Sequence, residues 1–252
     1  MRPVQDRRRS RHRKRLGRSS KAGSPLRPAK RPGSRTWLEG ESAIASQSQR
    51  VDDPLTNFEA GVFAGQSMAV WYDTARQEGV GTRCFGADSF QGLPSSVADD
   101  EGGWRPGQFA CPRPVTEWNL QRLGIPLEDV TLIEGWFDET LTPALAEDVG
   151  VVHVAMLDAD AFSSTETVLN FVGPILDDEA WLVFDDWFTG GNVDEATGGS
   201  LGTGVERAFD EWMARNPGWS YDIVDDYELE RDGRTRKAGR VLRLTRAQEV
   251  SR

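Results

Sequence analysis

Several of the side chains that catalytic sites most often use are scarce here. The chain has 252 residues but only two cysteines, Cys84 and Cys111, and two histidines, His12 and His153. Two cysteines exclude a disulfide framework, and no Cys/His group has the spacing of a zinc site. Each cysteine is expected to be reduced and to pack as a small apolar residue. His153 falls inside an apolar run and reads as a packed core histidine, so a histidine base is hardly available. Beyond the first fifty residues the only lysine is Lys237. Aspartyl-phosphate phosphatase chemistry, which needs a lysine ahead of its later acidic pair, is thereby excluded. No apolar stretch approaches membrane-spanning length, and the N-terminus lacks the apolar core of a secretory signal. A soluble, cytoplasmic protein with no membrane partner is expected.

Positive charge is also outnumbered over most of the chain. Residues 1–50 carry 15 Lys and Arg against 3 acids, a net of +12, while residues 51–252 carry 15 against 37, a net of −22. Nucleic acid is therefore excluded as a partner of the folded body, because phosphate contacts need clustered basic residues. Residues 1–50 are rich in Arg, Ser, Pro and Gly, with too little apolar surface to join a core. They are expected to form a disordered basic tail without a dedicated role. Residues 51–252 suffice for a single domain.

What is present centres on residues 151–186. Two short apolar runs, Val151–Leu157 and Ala180–Phe184, each end in carboxylates: Asp158 and Asp160 after the first, Asp185 and Asp186 after the second. Between them Ser163-Ser164-Thr165-Glu166 has the form of a capping box, with Ser163 at the N-cap, followed by apolar residues at helical spacing. Strand, helix, strand implies two parallel neighbours with both acidic clusters at one carboxyl edge, where open α/β sheets bind ligands. Four carboxylates at one place repel unless a cation lies between them, and oxygen ligands suit a hard ion such as Mg²⁺. Solvated strand-end acids are the plain alternative.

The rest of the body also alternates between strand and helix, which predicts a mostly parallel sheet. Expected are a strand over Asn57–Val62, a helix over Gln66–Gln77 and a strand over Thr82–Ala87 closed by Asp88. A long irregular stretch, Ser89–Pro114, precedes a short helix near Val115–Leu123 and a strand over Val130–Ile133. A helix marked by Val205, Ala208, Phe209, Trp212 and Met213 follows the central pair. Two final strands, Trp219–Val224 and Arg240–Leu244, close the pattern. The glycines of Phe58-Glu59-Ala60-Gly61-Val62-Phe63-Ala64-Gly65-Gln66-Ser67 stand where the first strand turns into the first helix, a place where backbone can approach a ligand. Asp88 stands where nucleoside-binding folds hold ribose hydroxyls. The first turn does not spell G-x-G-x-x-G, which weighs against a dinucleotide.

Taken together, FEAGVFAGQS, ADSFQGLP, LIEGWFDETL, LDADAFSST and VFDD, in that order over about Phe58–Trp187, resemble the macrocin/mycinamicin O-methyltransferase family, metal-dependent enzymes that methylate sugar hydroxyls of macrolides. The resemblance implies a Rossmann-like class I methyltransferase fold, a mostly parallel seven-stranded sheet with helices on both faces, that uses S-adenosylmethionine and Mg²⁺. It implies that Glu59, Gly61, Gly65 and Ser67 line the methionine part of the donor, that Asp88 holds its ribose, that Gly135, Trp136 and Phe137 lie near the adenine, and Ser89 is counted with the cofactor-binding residues. It further implies that Asp158, Asp185 and Asp186 hold the metal. From its place at the end of the apolar run, Asp158 is the favoured general base, and Asp160 is expected nearer the donor. The glycine-rich stretch over 190–204 is expected to act as a substrate lid.

The chemistry is coherent from the residues alone. An aliphatic hydroxyl is a poor nucleophile at neutral pH; a metal lowers its pKa and orients it, and an adjacent carboxylate takes the proton. The partner implied is a small-molecule hydroxyl acceptor, and a homo-oligomer is compatible with the pattern. Two alternatives stay open: a GT-A-like glycosyltransferase using its Asp-x-Asp, and a degenerate methyltransferase fold that binds without turnover.

Overall fold

Strand-forming runs here are short and punctuated by Gly, Asp or Pro, so each ends at the sheet edge and the chain returns through a helix. The computed structural model describes residues 54–99, 104–188, 200–231 and 234–247. In chain order the elements are β1 (Leu55–Ala60), α1 (Gln66–Gln77), β2 (Thr82–Asp88), α2 (Arg113–Arg122), β3 (Val130–Glu134), α3 (Phe137–Thr140), α4 (Pro143–Val149), β4 (Val152–Leu157), α5 (Phe162–Val172), β5 (Leu176–Phe184), α6 (Gly204–Arg215), β6 (Trp219–Arg231) and β7 (Arg234–Arg246). The strands form one seven-stranded sheet in the order β3-β2-β1-β4-β5-β7-β6. The first five are parallel, and β7 runs antiparallel to both β5 and β6. The α/β class, the seven strands and the parallel central pair are as expected.

Side-chain alternation along each strand divides the core in two. On one face Phe58, Ala155, Leu157, Leu182 and Phe184 pack with α5 (Val168, Leu169) and α6 (Phe209, Trp212). On the other, Cys84 packs with α1 (Met68, Ala69) and α2 (Leu120), and Trp71 of α1 joins Val154, Met156, Trp181 and Val183. Helices therefore cover both faces. Both cysteines are reduced and buried, as expected, and burial pushes the Cys84 thiol up to about 12. His153 is also structural. Its Nδ1 accepts from the Thr56 amide at 3.1 Å and its Nε2 lies 3.5 Å from Asp177.

Several expected boundaries move. β1 ends at Ala60 rather than Val62, because Gly61 turns the backbone to φ +87°. α2 begins at Arg113, with Pro114 in its first turn, where a fixed φ favours helix initiation. The capping box is not formed. α5 begins at Phe162 with Ala161 as N-cap and no side-chain cap, since Asp160, at φ +58°, turns the chain early and places Ser163 inside the first turn. α3 and α4 are additional helices; α4 carries a signal that was legible, Thr142 accepting from the Leu145 amide at 3.3 Å with Pro143 behind it. β6 and β7 extend well beyond their apolar cores because the two pair along their lengths. The expectations for residues 1–50 and for most of the 190–204 stretch fall outside the described residues.

Candidate functional site

The parallel register sets the site. β1 and β4 pair up to Ala60–Leu157, and β4 and β5 up to Leu157–Phe184, so Gly61, Asp158 and Asp185 stand side by side one step past the ladder. The Asp158 amide donates to Ala60 O at 2.9 Å and the Asp185 amide to Leu157 O at 3.1 Å. On the other side of Gly61, whose amide donates to Ala87 O at 2.9 Å, Asp88 closes β2. Both acidic clusters thus meet at one carboxyl edge, and Asp158 faces Asp185.

A cavity of about 920 Å³ opens over this row. Gly61, Asp88, Ser89, Gly135, Trp136, Phe137, Asp158, Asp160, Asp185 and Asp186 all line it. Glu59, Gly65 and Ser67 lie outside the lining. Ser67 donates to Glu59 Oε1, and Glu59 is fully buried. Gly65 packs on α2: a Cβ there would stand 2.9 Å from a Leu120 methyl. Gly61 also has a structural reason, since its Cβ would fall 1.9 Å from Asp158 O. The Asp88 carboxylate holds two turns in place, Oδ2 accepting from the Phe63 amide at 2.8 Å and Oδ1 from the Phe90 amide at 2.6 Å. Both phenylalanines have positive φ, so this carboxylate stabilises backbone that most side chains disfavour.

The acidic residues at this edge divide into a close trio and a fourth, Asp185. Carboxylate oxygens of Asp158, Asp160 and Asp186 lie within 4.8 Å of one another. Asp185 is engaged elsewhere, its Oδ1 accepting from the Tyr227 hydroxyl at 2.6 Å. The compact trio therefore contains Asp160, with Asp185 beside it giving one oxygen to Tyr227. The cause is the left-handed Asp160, which folds its carboxylate back toward Asp186. Burial, then the charges of Asp186 and Asp185 and a hydrogen bond with Asp186, raise the Asp160 carboxyl to about 9. Burial, followed by the charges of Asp185, Asp186 and Asp160, raises Asp158 well above the usual range. Such a group holds either protons or a cation, and three oxygens at this spacing fit a hard divalent ion. Among the described lining residues there is no Lys, Arg or His, against seven carboxylates.

Sequence reading missed much of the wall. Residues 89–99 and 104–109 pair with each other, Leu93 N donating to Gln108 O at 2.9 Å and Gly107 N to Leu93 O at 2.8 Å, so that Leu93, Pro94 and Phe109 face the cavity. It has no periodicity to reveal it. Ser163, Ser164 and Thr167 of α5 line the cavity as well. Tyr227, on the penultimate strand, carried no local signal.

The family model described as macrocin O-methyltransferase (TylF) matches residues 43–199 of this chain. The chain belongs to that family. Among curated relatives, an 8-demethyl-8-(2,3-dimethoxy-alpha-L-rhamnosyl)-tetracenomycin-C 4'-O-methyltransferase of Streptomyces olivaceus is 31% identical over 137 residues, covering 51% of each chain. A mycinamicin III 3''-O-methyltransferase of Micromonospora griseorubida is 29% identical over 110 residues, covering 40% of this chain and 42% of that protein. The chain thus spans about half the length, or less, of these relatives. Solved structures agree on the fold. The O-methyltransferase NovP aligns with TM-score 0.61 at 20% identity over 84% of this chain and 80% of its own. The calicheamicin methyltransferase CalS11 aligns with TM-score 0.55 at 22% identity over 83% and 79%. The macrocin family member described here therefore has the class I methyltransferase fold, with its acidic residues at the edge where that fold opens. No described helix is long and apolar enough to cross a membrane.

Proposed function

We propose that this chain transfers a methyl group from S-adenosylmethionine to a hydroxyl of a neutral, glycosylated natural product, with a divalent cation such as Mg²⁺ at the acidic trio. The observation that carries the reading is the cavity of a macrocin-family chain, lined by seven carboxylates and by no basic side chain among the described residues. Such a wall favours cations, and a sulfonium donor and a metal ion are both cationic; a nucleotide sugar would bring its diphosphate against like charge. The printed names of the two curated relatives, one a rhamnosyl-tetracenomycin methyltransferase and the other a mycinamicin III methyltransferase, support a glycosylated acceptor. The O-methyltransferase TomG of Streptomyces achromogenes, TM-score 0.52, was solved with S-adenosylmethionine, which supports the donor. The seven-stranded order and the family match favour this reading over a glycosyltransferase.

Asp158, Asp160 and Asp186 would hold the cation, which when bound lowers the pKa of an alcohol and orients it. Asp88 keeps lone pairs beyond those given to Phe63 and Phe90 and would use them on ribose hydroxyls. Gly135, Trp136 and Phe137 would close the adenine end, and Glu59 with Ser67 would brace the β1–α1 turn from below. Asp158, at the end of β4 beside the other acids, would accept the hydroxyl proton on a carboxylate oxygen.

Calorimetric titration with S-adenosylmethionine, with and without Mg²⁺ and with UDP-sugars as control, tests the reading. Donor binding, followed by transfer of label to a neutral rhamnoside but not to a nucleoside-diphosphate rhamnose, is expected. Binding of the UDP-sugar alone would overturn it, and donor binding without transfer to any glycoside would favour a non-catalytic binder.

A further inference from the structure

We propose that the Ser164 hydroxyl, on the first turn of α5, donates a hydrogen bond to a ring nitrogen of the donor's adenine. The inference rests on the S-adenosylmethionine reading above and gives a role to the hydroxyl face of α5, which that reading leaves unused.

Two packing contacts place this turn beside the adenine end of the cavity. Ala161, the N-cap of α5, packs with Leu93 and Val97, which follow Asp88 and Ser89 along the chain. α5 also packs against α3, which begins at Phe137 directly after Gly135 and Trp136. The first turn of α5 therefore borders both stretches assigned to the donor's nucleoside, and Ser163, Ser164 and Thr167 line the cavity there.

Ser164 is the hydroxyl of this wall that is both buried and uncommitted. It is 9% exposed, lines the cavity, and has no hydrogen-bond partner among the described residues. The other hydroxyls differ. Thr167 Oγ1 donates to Ser163 O at 3.0 Å and Ser89 Oγ to Gly92 O at 2.8 Å, while Ser95 and Ser96 are exposed. A hydroxyl buried to this degree without a partner is costly, so its direction into a cavity points to a ligand that completes it. The purine has the matching chemistry. Its ring nitrogens carry lone pairs and need a donor, which the carboxylates of Asp138 and Glu139 on the same wall cannot be. Those carboxylates suit the exocyclic amine, and a serine hydroxyl suits a ring nitrogen.

Calorimetric titration of the full chain with S-adenosylhomocysteine, in chelator and without acceptor, reads this directly. Ser164→Ala is expected to weaken binding about 10-fold, the scale of one buried hydrogen bond. Of the 1-deaza, 3-deaza and 7-deaza forms of the ligand, one is expected to bind the unmodified chain about 10-fold more weakly. That form should bind Ser164→Ala no more weakly than the natural purine does. Thr165→Val removes a fully buried α5 hydroxyl outside the cavity lining and should leave affinity unchanged. Ligand-free Ser164→Ala should melt no lower than the unmodified chain, since no internal hydrogen bond is lost and alanine favours helix. Unchanged affinity in folded Ser164→Ala overturns the proposal, as do losses from variant and deaza ligand that add. A lower melting temperature would make Ser164 structural and also overturn it. So would a loss confined to a neutral rhamnoside titrated onto the S-adenosylhomocysteine complex, which would place Ser164 on the acceptor side. Absence of S-adenosylhomocysteine binding in the unmodified chain would bring down the methyl-donor reading itself, and this proposal with it.

Discussion

Gly61→Ala probes the join between fold and site. The new methyl would lie 1.9 Å from Asp158 O and 2.9 Å from its carbonyl carbon, both backbone atoms held in the sheet. No rotamer change relieves such a clash, so the ends of β1 and β4 must part. Asp158 N to Ala60 O holds that junction, and Gly61 N to Ala87 O ties the same turn to β2, each at 2.9 Å. Losing them costs about 0.5–1.5 kcal/mol each. The positive φ of +87° adds about 1–2 kcal/mol for a residue with a Cβ. The expected loss is about 2–5 kcal/mol, equivalent to roughly 5–15 °C in melting temperature for a domain of this size. Gly79→Ala supplies the control: its φ is +72° and nothing lies within 4 Å of its Cβ, so only the conformational cost of about 1 kcal/mol applies. Chemical unfolding of both variants gives the comparison, and Mn²⁺ affinity of the surviving folded Gly61→Ala should drop because Asp158 moves. Equal stability of the two variants would refute the claim that the close approach to Asp158, rather than backbone freedom alone, requires glycine at 61.

Two further outcomes follow from the site's electrostatics. The native Asp160 carboxyl titrates near 9, against about 3.8 in the unfolded chain. Between those values the folded protein keeps a proton that the unfolded chain releases. That contribution is therefore complete below the unfolded value and is lost as pH rises through 9. In chelator, the melting temperature should fall from pH 5 to 9, Mg²⁺ should flatten the fall, and Asp160→Asn should reduce its slope; an unaltered slope in that variant would contradict the assignment. Asp88→Ala removes the acceptor of the Phe63 and Phe90 amides, two charge-assisted bonds worth about 1.5–3 kcal/mol each at most. It should lower stability by about 2–4 kcal/mol and S-adenosylmethionine affinity about 10-fold, and unchanged donor affinity in folded protein would remove Asp88 from the ribose role.

How much of the site was legible depends on how local each signal is. Asp158, Asp185 and Asp88 end apolar runs, and their meeting at one edge follows from parallel strands alone. The closeness of Asp160 to Asp158 and Asp186 was not legible, because it depends on a left-handed backbone that no residue nearby announces. The expected N-cap at Ser163 failed for the same reason, since that turn starts α5 early. Glu59, Gly65 and Ser67 lie near the first turn as expected, but the structure gives them packing and bracing contacts below the cavity. The wall built by residues 89–99 and 104–109 was readable only as part of a long loop, because these residues are joined by pairing between Leu93 and Gln108 rather than by periodicity.

By itself the sequence determined the alternation of strand and helix, the two buried faces, the acidic edge, and the excess of acidic over basic charge in the body. These follow from side-chain periods of two and 3.6 residues and from Gly, Pro and Asp as local punctuation. Only the tertiary structure decided which carboxylates form the close trio and that a tyrosine 42 residues beyond Asp185 reaches it across Gly239. Those contacts depend on the register of an antiparallel hairpin laid against β5 and on one backbone turn at Asp160. Register is a property of two strands together, and neither strand's residues specify it alone.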